Sequence, residues 1–233
     1  MVIFALQVIR GVLAQNTIEA LNHWFYVDSL SAIFLGLIAI VGTLAGVYSI
    51  GYMNTELKEG HIDFKTFGRY HCFLHLFFFT MLLSVMTNNI ILMWAAIEAT
   101  TLSSAFLVGT YKQKTALEAA WKYIVICSVG VAFGLYGTIL TFSGGANLLA
   151  DAGDAIFWSS LNSQAAGLNP MLMYIAFAFI LVGFGTKCGL FPMHTWLPDA
   201  HSEAPSPVSA ILSAVLLNCA MLIVLRYYIL VSK

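Results

Sequence analysis

Charge is what this sequence has least of. Ten Lys and Arg and eleven Asp and Glu are spread over 233 residues, 9% of the chain. An ordinary soluble domain carries about 25%. So few ionised side chains cannot cover a water-soluble globule of this size. The net charge of −1 leaves no basic patch, so no nucleic-acid partner is expected. Metal and redox frameworks are also missing. The four cysteines, Cys72, Cys127, Cys188 and Cys219, include no C-x-x-C pair. Each sits inside an apolar run and reads as a small buried hydrophobe. There is no Gly-rich phosphate loop and no cofactor motif, so no cofactor is expected and no catalytic redox site. No secretory leader is recognisable either. Met1 to Ala14 is apolar, but no basic residue precedes the apolar stretch. It is too short to span and reads as an interfacial helix or as the remnant of a span.

What is present is apolar surface. Hydrophobic residues make up 60% of the chain, and the mean hydropathy is +0.87. A membrane span needs about 20 apolar residues in a helix. Six segments qualify, at about 30–53, 70–87, 89–111, 117–142, 171–196 and 206–231. The fold class is therefore all-α, a polytopic transmembrane bundle embedded in the lipid bilayer. The second and third spans meet at Thr87-Asn88-Asn89, a tight polar turn, and form an antiparallel hairpin. The connection 143–170 is the longest and holds no Lys or Arg. Residues 146–162 are expected to form a short amphipathic helix with Trp158 at the interface. Lys58, Lys65, Arg69, Lys112 and Lys114 collect on one side, and Arg10, Arg226 and Lys233 on the other. The excess places the 54–69 and 112–116 loops in the cytoplasm and the 143–170 loop outside.

Three ionisable residues lie where charge is expensive. Glu98 is near the middle of the third span. Lys187 is inside the fifth, and Lys122 is about one turn into the fourth. A charge at the bilayer centre costs about 2.5–3.5 kcal/mol on insertion scales, and such residues pair, face water or work. Glu98 and Lys187 are read either as a structural ion pair or as a working site. Lys122 either snorkels to the cytoplasmic interface or turns inward toward Lys187.

The fifth span carries a second anomaly. Gly183, Gly185, Gly189 and Pro192 crowd around Lys187. Pro192 lacks an N–H and clashes with the carbonyl four residues back, so a helix break is expected within a turn of Lys187. Unpaired carbonyls at membrane depth line ion sites in transporters. After the break runs a rigid polar stretch holding four of the five prolines, with His194, Asp199, His201 and Glu203. On the topology above it lies at the cytoplasmic mouth. There Asp199, His201 and Glu203 are candidates for a proton relay, with capping of the last span as the plain alternative.

These residues also resemble a known family. The run from Lys187 through Met193-His194-x-Trp196-Leu197-Pro198-Asp199-Ala200-His201-Ser202-Glu203-Ala204-Pro205-Ser206-Pro207-Val208-Ser209 is similar to the signature of the proton-translocating antiporter-like membrane subunits. These comprise the large pump subunits of respiratory complex I, the large Mrp-type Na⁺/H⁺ antiporter subunits and their equivalents in group 4 membrane-bound hydrogenases. Trp94-x-x-x-Glu98 and Ala119-Ala120-x-Lys122-Tyr123 fit in order and spacing. Ile97-Glu98-Ala99-Thr100-Thr101-Leu102-Ser103-Ser104 and Leu216-Leu217-Asn218 most resemble the hydrogenase-4 and formate-hydrogenlyase type. The resemblance covers roughly residues 25–233.

The resemblance implies that Glu98 is the buried glutamate, Lys187 the proton-carrying lysine on the broken helix, and Lys122 a lysine that tunes the pair. It implies one domain over 1–233, with N-terminal helices over 1–69 and the first of two inverted five-helix repeats over 70–233. The second repeat would lie in a longer chain or on another polypeptide. Many members carry a lysine or histidine on the helix after the broken one. Here the candidate positions are Ser213 and Asn218. Neither titrates, so water or another side chain must bridge, or the route differs.

The resulting expectation is an ion-translocating, most simply proton-translocating, subunit of a prokaryotic inner-membrane redox complex of hydrogenase or NADH dehydrogenase type. Its partners are other membrane subunits. A Na⁺/H⁺ antiporter subunit is the alternative, with a structural scaffold behind it. A haem protein is disfavoured, because His71 and His75 stand one turn apart on one helix.

Overall fold

The computed structural model describes residues 1–233. Helix α1 (Val2–Gln15) leads into a short hairpin, β1 (Ile18–Ala20) and β2 (Phe25–Val27), paired antiparallel with Ile18 opposite Val27. Then follow α2 (Ser29–Lys58), α3 (Phe64–Met86), α4 (Ile90–Val108, with a 3-10 turn Gly109–Tyr111) and α5 (Lys114–Ala146). After the long connection come α6 (Trp158–Ser163), α7 (Pro170–Cys188), α8 (Trp196–Glu203), α9 (Ser206–Ile211) and α10 (Leu217–Val231). A π-turn, Leu212–Leu216, joins α9 to α10. Six helical stretches of 19 to 33 residues are long and apolar enough to cross a membrane. The molecule is an integral multi-pass membrane protein.

The helix starts follow from their caps. Asp28, Asp63 and Asn89 each accept a hydrogen bond from a first-turn backbone N–H of α2, α3 and α4. Asn169 does the same for α7, where Pro170 occupies the first turn at no cost in hydrogen bonding. Along α5, Trp121, Val125, Val129, Phe133 and Tyr136 form one exposed apolar stripe at helical spacing, the face a lipid tail would wet. The opposite face packs along α7. A Cβ on Gly183 would come within 2.3 Å of the Gly134 backbone nitrogen, so only glycine permits this approach.

The end of the bundle that holds the α3–α4 turn is more ordered than the sequence suggested. The hairpin over 18–27 carries no strand signal in the sequence, because its strands are three residues long. It docks on the α3–α4 turn, where Asn88 is fully buried and donates to the His23 carbonyl and to Ser159. The expected amphipathic helix over 146–162 is instead a 3-10 turn, Ala152–Ile156, followed by α6. Trp158 does not face outward from the bundle. It is buried, and its Nε1 donates to the Arg226 carbonyl. Arg226, near the end of α10, is buried as well. It is 1% exposed, donates to Asp28 at 3.3 Å and Ser31 at 2.7 Å, and lies 4.4 Å above the Trp158 ring. Of the four cysteines, Cys127, Cys188 and Cys219 are buried, but Cys72 is exposed on α3. An apolar run does not say which of its residues face inward.

Candidate functional site

The fifth span breaks where the glycines and proline predicted, but Gly189 makes the turn. α7 ends at Cys188, and Gly189 adopts a left-handed φ of 71°. The Gly189 N–H bonds back to the Thr186 carbonyl and the Leu190 N–H to the Gly185 carbonyl, an arrangement that closes a helix end. Pro192 follows in the turn between α7 and α8, and Trp196 Nε1 donates to the Thr186 carbonyl at 2.9 Å. The break therefore leaves Lys187 in the last turn of α7, with the carbonyls of Gly185 and Thr186 paired locally.

Lys187 is fully buried. Its Nζ donates to Thr101 Oγ1 on α4 at 2.9 Å and to the Tyr123 hydroxyl on α5. It also lies 4.4 Å from the Tyr123 ring centroid and 5.8 Å from that of Trp196. Tyr123 continues the line, with its hydroxyl 2.7 Å from Ser104 Oγ. Glu98 is half-buried one turn from Thr101 on α4. Its Oε1 accepts from Ser128 on α5 at 2.7 Å, and its Oε2 has no partner within the chain. Glu98 and Lys187 thus occupy one region between α4, α5 and α7, but they bond to hydroxyls rather than to each other.

Lys122 is exposed and does not take the inward turn. Its Nζ lies 2.8 Å from Glu118 and 3.1 Å from Asp199 on α8. Thr115 donates to Glu203 at 3.0 Å, so α8 closes on the start of α5 through two polar contacts. Between them lies a polar recess of about 170 Å³ lined by Thr115, Glu118, Lys122, Asp199 and Glu203. His201 Nδ1 pairs with Ser209 Oγ at 2.8 Å, and its Nε2 is buried without a partner. Burial holds its imidazolium below the ordinary histidine range. His194 rests against Phe191, with Nδ1 buried and unpartnered. Ser213 and Asn218 bond only to carbonyls of their own helix, Ala210 and Ala214. Neither is brought to Lys187.

Sequence reasoning missed Thr101, Tyr123, Ser104 and Ser128. Thr101 shares a helix face with Glu98 at i, i+3, which was a readable signal. Tyr123 and Ser128 carry none, since their inward aim depends on how α5 is rotated against α4 and α7. No group of three or more His, Cys, Asp or Glu gathers as a metal-binding cluster.

Comparison with known proteins adds the family. Residues 87–233 match the family described as NADH:quinone oxidoreductase/Mrp antiporter, transmembrane, and residues 19–61 match the complex I chain 5 N-terminus. The chain belongs to this family. It is 42% identical over 211 residues to the hydrogenase-4 component F homolog of Methylacidiphilum infernorum (isolate V4), covering 91% of this chain and 44% of that protein. It is 31% identical over 236 residues to Na(+)/H(+) antiporter subunit A1 of Staphylococcus haemolyticus (strain JCSC1435), covering 96% of this chain and 27% of that one. The fold is shared with a chain of the membrane-bound sulfane sulfur reductase, an archaeal respiratory membrane complex. There the TM-score is 0.77 at 22% identity, over 94% of this chain and 44% of that one. It is shared also with a chain of respiratory complex I from Thermus thermophilus, with a TM-score of 0.71 at 22% identity, over 97% and 46%. The chain spans less than half the length of these family relatives.

Proposed function

We propose that this chain is a proton-translocating module of a multisubunit membrane redox complex, with Glu98 and Lys187 as its protonation switch. The observation that carries the reading is a fully buried lysine at a helix break, bonded to Thr101, which lies one turn from Glu98 on α4. At about 4 Å and an effective dielectric near 20, a lysine and a carboxylate attract by about 4 kcal/mol. Making or breaking the contact therefore changes how firmly Lys187 holds a proton. In the arrangement described here the contact is broken. The recess lined by Lys122, Asp199 and Glu203, with His194 and His201 nearby, is the inward mouth on this reading. Lys122 then acts there as part of an ion-paired rim.

The first five-helix repeat occupies residues 70–233, and the helices before it belong to the N-terminal part. The driving energy comes from partner subunits that carry the redox chemistry. The likeness to the hydrogenase-4 component F homolog favours a hydrogenase-type complex. A Na⁺/H⁺ antiport role is the second reading, favoured by the likeness to the antiporter subunit.

The test is Lys187→Ala in the assembled complex, read as ion uptake by vesicles alongside native-gel assembly. Assembly with loss of uptake is expected. Full uptake by an assembled variant refutes the assignment. Replacing Na⁺ in the medium separates the two readings.

A further inference from the structure

The switch by itself does not explain why its two members are held apart. The geometry points to two hydroxyl seats that set the open state: Tyr123 with Thr101 for Lys187, and Ser128 for Glu98. This rests on the reading of Glu98 and Lys187 as the switch, and it assigns Tyr123 and Ser128 as positioning residues.

The seats lie at different depths. α4 runs from the Asn89 cap toward the 109–113 turn, and α5 runs back from it. Thr101 is three residues beyond Glu98, about 4.5 Å nearer that turn at 1.5 Å per residue. Tyr123 is five residues before Ser128, about 7.5 Å nearer the same turn. Both displacements point the same way. Lys187 is therefore drawn toward the 109–113 turn while Glu98 is held back from it. Each member also keeps capacity for the other. An ammonium has three donors, of which Thr101 and Tyr123 take two. Glu98 spends Oε1 on Ser128 and leaves Oε2 without a partner in the chain. A pair with one free donor and one free acceptor closes when a seat lets go. Tyr123 is itself fixed from behind by Ser104 and by the Trp196 ring, 4.7 Å away. Trp196 stands at the start of α8, beyond the break, so a movement of α8 reaches the Lys187 seat through Tyr123.

The consequence is specific. Tyr123→Phe removes a hydroxyl that bonds Lys187 and not Glu98, yet it should alter Glu98. A charge-assisted hydrogen bond lost from the open state shifts the balance toward the closed pair about tenfold. The measurement is infrared difference spectroscopy on the assembled complex, with the Glu98 carboxylate band identified by its disappearance in Glu98→Gln. Tyr123→Phe should shift that band and slow translocation. Ser128→Ala should do the same, and Ser128→Thr, which keeps the hydroxyl, should restore both.

An unchanged Glu98 band in assembled Tyr123→Phe overturns the proposal. So does a Ser128→Thr variant that behaves like Ser128→Ala. If Tyr123→Phe does not assemble, the Ser128 pair decides alone. The band reports geometry whether or not ions move. A shifted band in a complex whose transport survives Lys187→Ala would therefore retire the transport reading and keep the seats.

Discussion

Asp28→Asn isolates a buried charge pair at the end of the bundle that holds the α3–α4 turn. Asp28 does two things: it caps α2 by accepting from the Ser31 N–H at 2.8 Å, and it faces the Arg226 guanidinium at 3.3 Å. Asparagine caps as well as aspartate, so the substitution leaves the cap and removes the charge. Arg226 is 1% exposed, and its Nε and Nη1 already lack partners within the chain. A guanidinium does not shed its proton to escape burial. Breaking a buried pair by removing one partner costs about 3–5 kcal/mol.

Two features reduce that figure. The Asp28 side chain is 18% exposed. Arg226 also keeps the Trp158 and Tyr26 ring faces at 4.4 and 5.7 Å. A loss of about 2–3 kcal/mol is expected, which is about 4–12 °C in Tm for a chain of this length. The three buried cysteines supply the assay. On heating in detergent, Cys127, Cys188 and Cys219 become reactive to a thiol dye, over the constant background of exposed Cys72. Arg226→Gln combined with Asp28→Asn should cost less than the two single changes added together. A melting curve for Asp28→Asn within about 2 °C of wild type, or additive behaviour in the cycle, would refute the reasoning.

Glu98→Gln should impair translocation strongly and Glu98→Asp less, because charge matters more than reach; uptake by vesicles measures it. Gly183→Leu places a side chain where even a Cβ would lie 2.3 Å from Gly134, so α5 and α7 must part. Overpacking of this kind costs about 1–3 kcal/mol or more, and the variant should show early dye reactivity at Cys127 and Cys188. Burial depresses His201, so the folded chain binds its proton less readily than the unfolded chain does. That contribution to stability is whole above about pH 6.5 and declines as pH falls through it. The protection factors for hydrogen exchange across 196–211, taken relative to the intrinsic rate at each pH, should therefore fall between pH 7.5 and 5.5, and His201→Gln should flatten the change.

The sequence alone was enough for the class and the order of parts. Long apolar runs in a chain with 9% charged residues admit only membrane helices. The run Thr87-Asn88-Asn89 marked the hairpin. The glycines and proline around Lys187 marked the break, because backbone geometry at Gly and Pro is a local property. The motif around Lys187 and Pro198 pointed to the family that the comparisons then showed. Rotation and partnership belonged to the tertiary structure. An apolar helix has no polar face to announce which side turns inward. Cys72 outside, Trp158 inside and Arg226 paired with Asp28 were therefore decided by packing between segments up to 198 residues apart. The same holds at the site. The two expensive charges could be named from their depth. That they rest on Ser128, Thr101 and Tyr123 depends on α5 packing against α4 and α7, an approach that Gly183 and Gly134 permit but no local pattern specifies.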